Sequence, residues 1–286
     1  MNPELEPMEP ADRESLVHAV YVLEANSFMT MLARLIGQPA DALIAALPPF
    51  VGATISSASQ NAILQCLKFA MRPRSPRSLL GIAGNHPALV SGLAGAVSGF
   101  VGMAALAVEL PLTTIVMFQS IVGIAAEAGE DISRPEVRVA CLEVFGLSSD
   151  GKGPAATESG YYAARHALAK PAREAADYVL RRGTSLKTAP VVVEFVSAIA
   201  PRFGLLVSQE LAATAVPIIG AATGSSLNIA FVQHFNNVAR GHFAVRALER
   251  KYGEERVRQE FELIRATARR TRRPKRLKKT TEDISA

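Results

Sequence analysis

The stretch from Leu211 to Ala239 holds 29 consecutive residues without a permanent charge, and it restricts the fold more than any other feature of the sequence. Pro217 and Gly220 interrupt its first part, so the pattern predicts a short helix, a break, and a long helix that begins near Thr223. The start of this long helix carries small residues that let a second backbone come close, namely Gly220, Ala221, Gly224 and Ser225.

The later part of the predicted long helix sets polar side chains among phenylalanines. An unpaired buried donor costs about 1–3 kcal/mol, so these groups require partners. We expect one buried network that Glu109 or Glu24 completes with a carboxylate, and Arg240, if buried, requires such a partner, for which Glu109 is the candidate tested below. The candidate residues are Glu24, Glu109, Glu158, Arg165, Asn228, His234, Arg240 and His242. They are interpreted as a structural network that fixes helix register, as a ligand or lipid-headgroup site, or as a hydrolytic centre.

A second apolar region covers residues 89–126, is interrupted only by Glu109, and is ended by Gly129-Glu-Asp131. Pro111 removes a backbone donor and predicts a kink or turn there. We therefore expect two Gly/Ala-rich, hairpin-like elements, at 92–114 and 215–242, that pack on one another. The first element places four glycines on one helical face, each at a cost of about 1 kcal/mol relative to alanine, which indicates close helix packing: Gly92, Gly95, Gly99 and Gly102.

The sequence shows no convincing strand pattern, so it predicts a single multi-helix, all-α domain with a charged C-terminal helix. Proline, glycine and capping residues mark the other helix ends. The expected helices run from Asp12 to about Ile36, from Ser133-Arg-Pro135-Glu136 through Leu147, from Thr157 or Glu158 onwards, from Thr188 to Ala200, and from Gly253 to about Arg270. We expect a disordered N-terminus at 1–11, the helical domain at 12–267 and a basic flexible tail at 268–286.

The basic charge of the chain is concentrated in its tail. Residues 269–279 hold eight basic residues and no acid, more than the net charge of +5, so the rest of the chain is net acidic. Such a tail binds anionic lipid or nucleic acid, or simply solubilises the end of the chain. We expect membrane lipid or a membrane protein as the partner rather than nucleic acid, and the sequence does not define an oligomeric state.

The composition lies between that of a soluble domain and that of a polytopic membrane protein. Charged residues make up 20% of the chain, below the usual quarter, and the mean hydropathy is +0.19. Residues 42–67 carry no charge and precede a basic connector, as in a membrane helix with its cytoplasmic flank. Pro48 and Pro49 shorten the uninterrupted part to about 16 residues, below the roughly 20 needed to span a bilayer.

Cysteine usage and the N-terminus indicate the compartment. Cys66 and Cys141 both lie in apolar surroundings, which is typical of buried thiols in a reducing compartment. The acidic, proline-rich N-terminus lacks the basic and apolar regions of a signal peptide. We expect a cytoplasmic protein, and the uncharged runs are compatible with a peripheral position at the inner face of the cytoplasmic membrane.

The sequence contains no established catalytic or metal-binding motif. The histidines at 18, 86, 166, 234 and 242 form no i, i+4 pair and no His-Glu-x-x-His motif. C-x-x-C, G-x-S-x-G and the phosphate-binding G-x-x-x-x-G-K are absent as well. The sequence therefore predicts no metal site and no cofactor, and it leaves open whether the protein is an enzyme.

Several short strings occur in order along residues 15–260. They include Gly95-x₃-Gly99-x₂-Gly102 before Glu109-Leu-Pro111, Gly129-Glu-Asp131, Glu158-x-Gly160-Tyr161, Arg202-Phe-Gly204, Asn228-x₂-Phe231-x₂-His234-Phe235, and the stretch from Ala239 to Gly253. Together these strings resemble the EcsC family. The chain departs from the family pattern at Gln119-Ser120, where Arg-Ser is expected, and at Gln209-Glu210, where Glu-Lys is expected. A role for charges at those two positions is therefore in doubt.

The resemblance implies a bacterial protein that is helical throughout and for which no reaction is established. Some members carry protease labels, but the zinc-ligand pattern that such an activity needs is absent here. Three functions remain open. The first is a non-catalytic, membrane-associated or interaction protein that acts through helix packing and lipid or partner contact. The second is a soluble binder of a hydrophobic ligand between the glycine-faced helices, and the third is a hydrolase that uses Glu109 with His234 or His242.

Overall fold

The computed structural model contains eight α-helices and no strand within the residues that it describes. This confirms the prediction of an all-α domain. The described residues are 7–25, 28, 49–72, 99–147, 160–182, 189–214 and 217–272. The helices are α1 (Pro10–Val20), α2 (Pro49–Met71), α3 (Gly99–Glu127), α4 (Pro135–Leu147), α5 (Gly160–Arg182), α6 (Pro190–Thr214), α7 (Pro217–Tyr252) and α8 (Glu254–Arg272). A single π-helical turn, Tyr21–Ala25, follows α1.

The turn after α3 is fixed by backbone hydrogen bonds around a glycine. Gly129 has a φ of 80°, a left-handed conformation that favours glycine. Its N–H donates to the Ala126 carbonyl and the Glu130 N–H donates to the Ala125 carbonyl, each at 3.0 Å, which is a Schellman motif. The predicted end of the apolar run at Gly129 is confirmed.

α4 begins at Pro135, close to the predicted start, but the predicted capping box does not close its N-terminus. The Ser133 hydroxyl donates to Asp131 Oδ1 at 2.5 Å, and the Ser133 N–H donates to the same oxygen at 3.0 Å. Aspartate side chains often bind backbone and hydroxyl groups two residues further on. Asp131, two residues before Ser133, therefore binds the serine that the sequence pattern assigned to a capping box with Glu136.

Pro111 and Pro201 lie inside helices, although the sequence predicted a kink or turn at the first and a helix end before the second. A proline inside a helix costs about 3 kcal/mol. Burial of one large apolar side chain contributes about 1.5–3 kcal/mol, so tertiary packing outweighs this local penalty. The buried residues that follow the two prolines include Met117, Phe118 and Ile121 in α3 and Phe203, Leu206 and Val207 in α6.

α7 begins at Pro217 and continues without interruption for 36 residues. The predicted break between Pro217 and Thr223 is therefore wrong, because a proline at the first helical position removes no hydrogen bond that the helix needs. Residues 211–214 belong to the end of α6. The helices that carry the two Gly/Ala-rich elements, α3 and α7, pack on one another, and the described parts of both elements, residues 99–114 and 217–242, are continuous helix.

α1 starts at Pro10, two residues before the predicted N-cap at Asp12. The Asp12 carboxylate instead accepts hydrogen bonds from Lys251 Nζ at 2.8 Å and from Tyr252 Oη at 2.7 Å. The expected continuation of this helix to Ile36 lies largely outside the described residues. The predicted apolar face is confirmed by the buried side chains Leu16, Val20 and Leu23.

α2 and α3 run in the same direction. Cys66 Sγ of α2 lies 3.8 Å from the carbonyl oxygen of Thr114 in α3. One turn further along both helices, the ring centroids of Phe69 and Phe118 are 6.3 Å apart. Residue numbers therefore increase together along the contact, and the two helices are parallel.

α3 and α7 are also parallel. Glu130, just beyond α3, forms an ion pair with Arg246 near the end of α7 at 2.7 Å. A second level gives the direction. Ser59 of α2 lies against Gly204 of α6, and the neighbouring Phe203 contacts Phe231 of α7. From that level, α7 and α2, which is parallel to α3, both advance toward the pair of Glu130 with Arg246. α2, α3 and α7 therefore all begin at one end of the bundle.

α6 runs in the opposite direction to α2 and α7. Only residues 215 and 216 separate α6 from α7, and the ring centroids of Phe203 and Phe231 lie 6.3 Å apart across the two helices. A Cβ placed on Gly204 would lie 3.1 Å from Ser59 Oγ of α2. The last turns of α6 therefore lie at the end where the three parallel helices begin.

These helix directions separate the charges along the bundle. The uncharged end comprises residues 49–60, 99–112, 205–214 and 217–230. It contains no Lys or Arg, and its only acids are Glu109 and Glu210. The charged end comprises residues 127–138 and 246–256, more than half of which are charged.

Aromatic rings and the two thiols fill the core between the helices. Phe145 of α4, Phe203 of α6 and Phe235 of α7 are fully buried, and their ring centroids lie 5.2 to 5.7 Å from one another. This cluster joins three helices at one point. Cys66 and Cys141 are buried and unbridged, which confirms their expected state.

Two segments of the described chain are long and apolar enough to cross a membrane, Val108–Glu127 in α3 and Pro190–Ala213 in α6. In the bundle, 61% of the first apolar window and 50% of the second are buried against other helices. Core helices of soluble proteins share this length and composition, so the two segments do not by themselves establish a span.

The predicted contact between the glycine faces falls only partly within the described residues. The parallel packing of α3 and α7 brings their glycine-bearing starts to the same end of the bundle, and the contact itself stays a prediction. Of the six glycines, the first two lie outside the described residues, the next two lie at the start of α3 and the last two near the start of α7: Gly92, Gly95, Gly99, Gly102, Gly220 and Gly224.

Gly146 of α4 is packed too closely for a larger residue. A Cβ there would lie 3.0 Å from Leu168 Cδ1 and 3.5 Å from the Ile199 Cα atom. Gly146→Ala should therefore lower the free energy of unfolding by about 1–3 kcal/mol through overpacking. Gly52→Ala is the control, because a Cβ at this exposed helical position meets nothing within 4 Å and alanine should stabilise by up to about 1 kcal/mol. Urea denaturation measures both changes, and equal stabilities of the two variants would contradict this packing.

Candidate functional site

The Glu130 carboxylate joins the end of α3 to α7 at the charged end. It accepts hydrogen bonds from Arg246 Nε at 2.7 Å and Arg246 Nη2 at 3.2 Å, and it also pairs with Arg250. Arg250 Nη2 donates to the Ala128 carbonyl at 2.7 Å, next to the left-handed Gly129. Burial acts to raise the pKa of Glu130, but the two arginines outweigh burial and hold the pKa below its usual value.

Arg165 of α5 and Glu249 of α7 form a second, bidentate ion pair. Arg165 Nη1 donates to Glu249 Oε1 at 2.6 Å, and Nη2 donates to Oε2 at 2.8 Å. Tyr162 Oη donates to the same carboxylate at 3.3 Å. The side chains are mostly buried, with exposed fractions of 19% for Arg165 and 9% for Glu249. Burial opposes the charge on Arg165, but the contact with Glu249 raises its pKa above the usual value.

Tyr161 and His242 share a buried hydrogen bond near this ion pair. Tyr161 Oη lies 2.9 Å from His242 Nδ1, and both side chains are fully buried. Burial, together with the charges of Arg165 and Arg246, lowers the pKa of His242 well below its usual value. Glu24 accepts a hydrogen bond from the Tyr161 N–H at 2.9 Å, which places a carboxylate at the N-terminus of α5.

A cleft of about 400 Å³ opens beside these groups, between α4 and α5. One face of α4 forms a wall, because Glu136, Val139, Ala140 and Glu143 recur at helical spacing. α5 forms the opposite wall with Ala169, Ala172 and Ala176. The inner part holds the buried or half-buried Tyr162, Arg165 and Arg246, and the mouth holds the exposed His166, Arg173, Asp177, Glu254 and Arg258.

Glu143 is the buried acid of this cleft. Its exposed fraction is 9%, and it makes no hydrogen bond with any other residue that the structure describes. Burial raises the pKa of Glu143 to about 7, against the attraction of the Arg246 and Arg165 guanidinium groups. Both protonation states are therefore populated near neutral pH, and the group can accept or donate a hydrogen bond.

The expected pair of Arg240 with Glu109 is wrong. Arg240 is exposed, and its Nη1 donates to Asn237 Oδ1 at 3.3 Å. Glu109 is half-buried and makes no hydrogen bond or ion pair within the described part of the chain. The register explains the separation: Glu109 precedes Glu130 by 21 positions, whereas Arg240 precedes Arg246 by six. Since Glu130 and Arg246 meet, the levels of Arg240 and Glu109 differ by about 20 Å along the bundle.

The histidines proposed for hydrolysis lie in the core. The ring of His234 packs between Phe28 and Phe235, with centroid distances of 5.4 Å to each. Burial lowers the pKa of His234 to about 4. Neither His234 nor His242 nor Glu109 lines the cleft between α4 and α5. The three residues proposed for hydrolysis therefore do not meet in this cleft.

The structure brings only part of the predicted site together. Glu24, Arg165 and His242 lie around Tyr161. Among the other candidates, His234 lies separately between phenylalanine rings, and Arg240 and Glu109 lie at different levels, as described above. Glu158 and the side chain of Asn228 lie outside the described residues.

Four charged residues of this region were not among the candidate site residues, although all but Glu143 lie in the strings that resemble the family: Glu130, Glu143, Arg246 and Glu249. Two signals for them exist. Arg246 and Arg250 are four apart on one helix, and like charges at that spacing repel unless an acid lies between them. Glu143 is the only charge in the apolar run 139–147. The pairing of these residues cannot be predicted from nearby sequence, because Glu130 is 116 and 120 positions from its two arginines.

The fold and the site define an all-α bundle with ion-paired helix ends and a polar cleft. Among the described residues, no three His, Cys, Asp or Glu side chains are placed to hold a metal ion. The profile of the EcsC protein family matches residues 83–248, more than half of the chain. The chain therefore belongs to the EcsC family, as its motifs predicted. No curated protein and no solved structure matches it.

The register predicts opposite outcomes for two arginine–glutamate pairs. Arg165→Ala and Glu249→Ala should each destabilise the protein by on the order of 3 kcal/mol, because each leaves a mostly buried charge unpaired. The double variant should then lose less than the sum of the singles. Arg240→Ala with Glu109→Ala is the matched cycle, and its losses should be additive. Urea unfolding measures both cycles. Additive losses in the first pair, or coupling in the second, would contradict the arrangement.

Proposed function

We propose that this EcsC family protein is a non-catalytic, peripheral membrane protein whose uncharged end contacts lipid at the inner face of the cytoplasmic membrane. The observation that carries the proposal is the parallel alignment of α2, α3 and α7, which gathers their uncharged halves at one end. One uncharged helix half is common in a protein core. Three that begin together, with the last turns of α6 beside them, place no Lys or Arg at this end among the described residues.

Apolar side chains are exposed on the uncharged end. Val108 and Leu112 lie one turn apart on α3, with exposed fractions of 65% and 49%. Leu205 of α6 and Ile229 of α7 are exposed as well. Transfer of apolar surface out of water is favourable by about 25 cal/mol per Å², and apolar groups gathered on one surface mark protein or membrane contacts. These four side chains supply the apolar contact that the proposal requires.

The two acids of the uncharged end do not oppose this contact strongly. Burial raises the pKa of Glu210 to about 8, so its carboxyl group is mostly protonated at neutral pH. Glu109 is half-buried and follows the exposed Val108 in sequence. A carboxylate at the edge of an apolar surface can stay at the level of the lipid headgroups, where water remains available.

α8 leads the basic tail away from the charged end. Arg13 of α1 pairs with Glu260 of α8 at 2.9 Å. Further along the same N-terminal segment, Glu24 lies in the electrostatic field of Arg269. α8 therefore runs beside this segment, from the charged end toward the middle of the bundle. The eight basic residues of 269–279 follow in sequence, and such clusters bind anionic headgroups.

The packing favours a peripheral position over a membrane span. α3 and α6 carry the two segments with the length and composition of a span, yet both contribute fully buried side chains to the shared core. Insertion of either helix across a bilayer would replace these contacts with lipid. The buried side chains include Phe118, Ile121 and Ala125 of α3 and Phe195, Ile199 and Phe203 of α6.

Flotation with vesicles of phosphatidylcholine and phosphatidylglycerol tests the proposal. The double variant Val108→Glu with Leu112→Glu should weaken binding about tenfold or more. Full burial of one such side chain is worth about 1.5–3 kcal/mol, and each glutamate adds a charge that lipid disfavours. The fold should be unaffected, because both side chains are already exposed to water.

Val193→Glu with Leu263→Glu is the matched control. It changes the same residue types at exposed fractions of 51% and 62%, outside the uncharged end. This control should bind vesicles as the wild-type protein does. Equal losses in the two double variants would contradict the proposal, as would a wild-type protein that floats with no vesicle at all.

A further inference from the structure

The inner part of the cleft between α4 and α5 presents a carboxylate without a partner. The nearby cations Arg165 and Arg246 are each held by another acid, Glu249 and Glu130 respectively. Glu143 therefore keeps its oxygen lone pairs free for a molecule in the cleft, although its side chain is nine-tenths buried. The carboxylate oxygens of Glu143 reach the cleft rather than being sealed in the core, so water or a ligand in the cleft supplies the donor that no protein group provides.

Alanine side chains keep the body of the cleft open. Ala140, Ala172 and Ala176 are buried in its walls, and Ala169 is exposed at its edge. Larger residues at these positions would fill the space between the two helices. A volume of about 400 Å³ lies in the range of small-molecule sites. The walls thus suit an aliphatic chain between two polar groups.

The mouth of the cleft offers charges of both signs. Arg173 and His166 are exposed there and make no ion pair or hydrogen bond with another described residue. Asp177 and Glu254 line the same mouth, so it does not select for a ligand with a large net negative charge. Arg173 follows Arg165 of the inner part by eight positions, or about 12 Å along α5, so the cleft carries guanidinium groups at two levels of this helix.

We propose that this cleft binds a small amphoteric molecule, whose ammonium group pairs with Glu143 and whose anionic group pairs with Arg173. A ligand of one sign would leave either the inner acid or the outer guanidinium without a partner. A molecule that carries both signs satisfies both ends and adds no net charge to a cleft whose own charges nearly balance. This site lies among the residues of the charged end and is independent of lipid contact.

Isothermal titration of the full-length protein with a matched set of compounds tests the proposal. 6-Aminohexanoate carries an amine and a carboxylate at the two ends of an aliphatic chain, and 4-aminobutanoate and 8-aminooctanoate bracket its length. Hexylamine and hexanoate each lack one of the two groups. Saturable binding of 6-aminohexanoate is expected, and each of the other two compounds should bind about tenfold more weakly or worse, because one charged contact is lost.

Two variants locate the binding. Glu143→Gln removes the inner charge, and Ala169→Leu blocks the edge of the cleft at an exposed position where leucine is a good helix former. Both should weaken binding of 6-aminohexanoate by about tenfold or more. Glu194→Gln and Ala167→Leu are the matched controls, because both residues are exposed and line no part of the cleft. Both controls should bind as the wild-type protein does.

Each contrary result overturns the proposal. Absence of saturable binding for 4-aminobutanoate, 6-aminohexanoate and 8-aminooctanoate would show that the cleft takes no such molecule. If hexylamine or hexanoate binds as tightly as 6-aminohexanoate, the cleft does not require both charges on the ligand. Unchanged binding in Ala169→Leu would place the site elsewhere, and this variant decides the question if Glu143→Gln fails to fold.

Discussion

The ion pairs of Glu130 with Arg246 and Arg250 set the register of the two longest helices, and the rest of the arrangement depends on them. The Schellman turn at Gly129 brings the Glu130 carboxylate back against α7, where the two arginines hold its pKa below the usual value. Arg250 also binds the Ala128 carbonyl at the end of α3. One carboxylate therefore closes a helix end and fixes a parallel contact between elements more than a hundred residues apart.

Because these helices are parallel, the order of uncharged and charged residues along each helix becomes a separation of charge along the whole bundle. α3 and α7 each begin uncharged and end among charged residues, and α2 lies parallel to α3. Had α3 and α7 been antiparallel, each end of the bundle would have received one uncharged half and one charged half. In the parallel arrangement the uncharged halves form one end, which we assign to lipid, and the ion pairs and the Glu143 cleft lie toward the other. The two proposed contacts are thus separated along the bundle and can be tested independently.

Local signals in the sequence predict much of the fold, whereas the site depends on long-range contacts. The helical class, the stop at Gly129 and the buried thiols follow from spacing and residue type, and the structure confirms them. The turn expected as one alternative at Pro111 and the break expected after Pro217 are wrong, because packing outweighs a lost hydrogen bond at the first and the helix starts at the second. The pair expected for Arg240 is wrong for another reason. Helical periodicity gives the face of a residue, but the level at which two helices meet is set by contacts such as that of Glu130, which no local pattern contains.

The assignment of the uncharged end to lipid is tested most directly by measuring which end of the bundle enters the bilayer. A fluorophore can be attached to a single cysteine at position 108 or at position 193, because Val108 and Val193 are exposed and the native Cys66 and Cys141 are fully buried. Vesicles with nitroxide groups on their acyl chains then quench only a fluorophore that reaches the hydrocarbon. The account predicts strong quenching of the label in Val108→Cys and none of the label in Val193→Cys. Equal quenching at both positions, or quenching at position 193 alone, would contradict it.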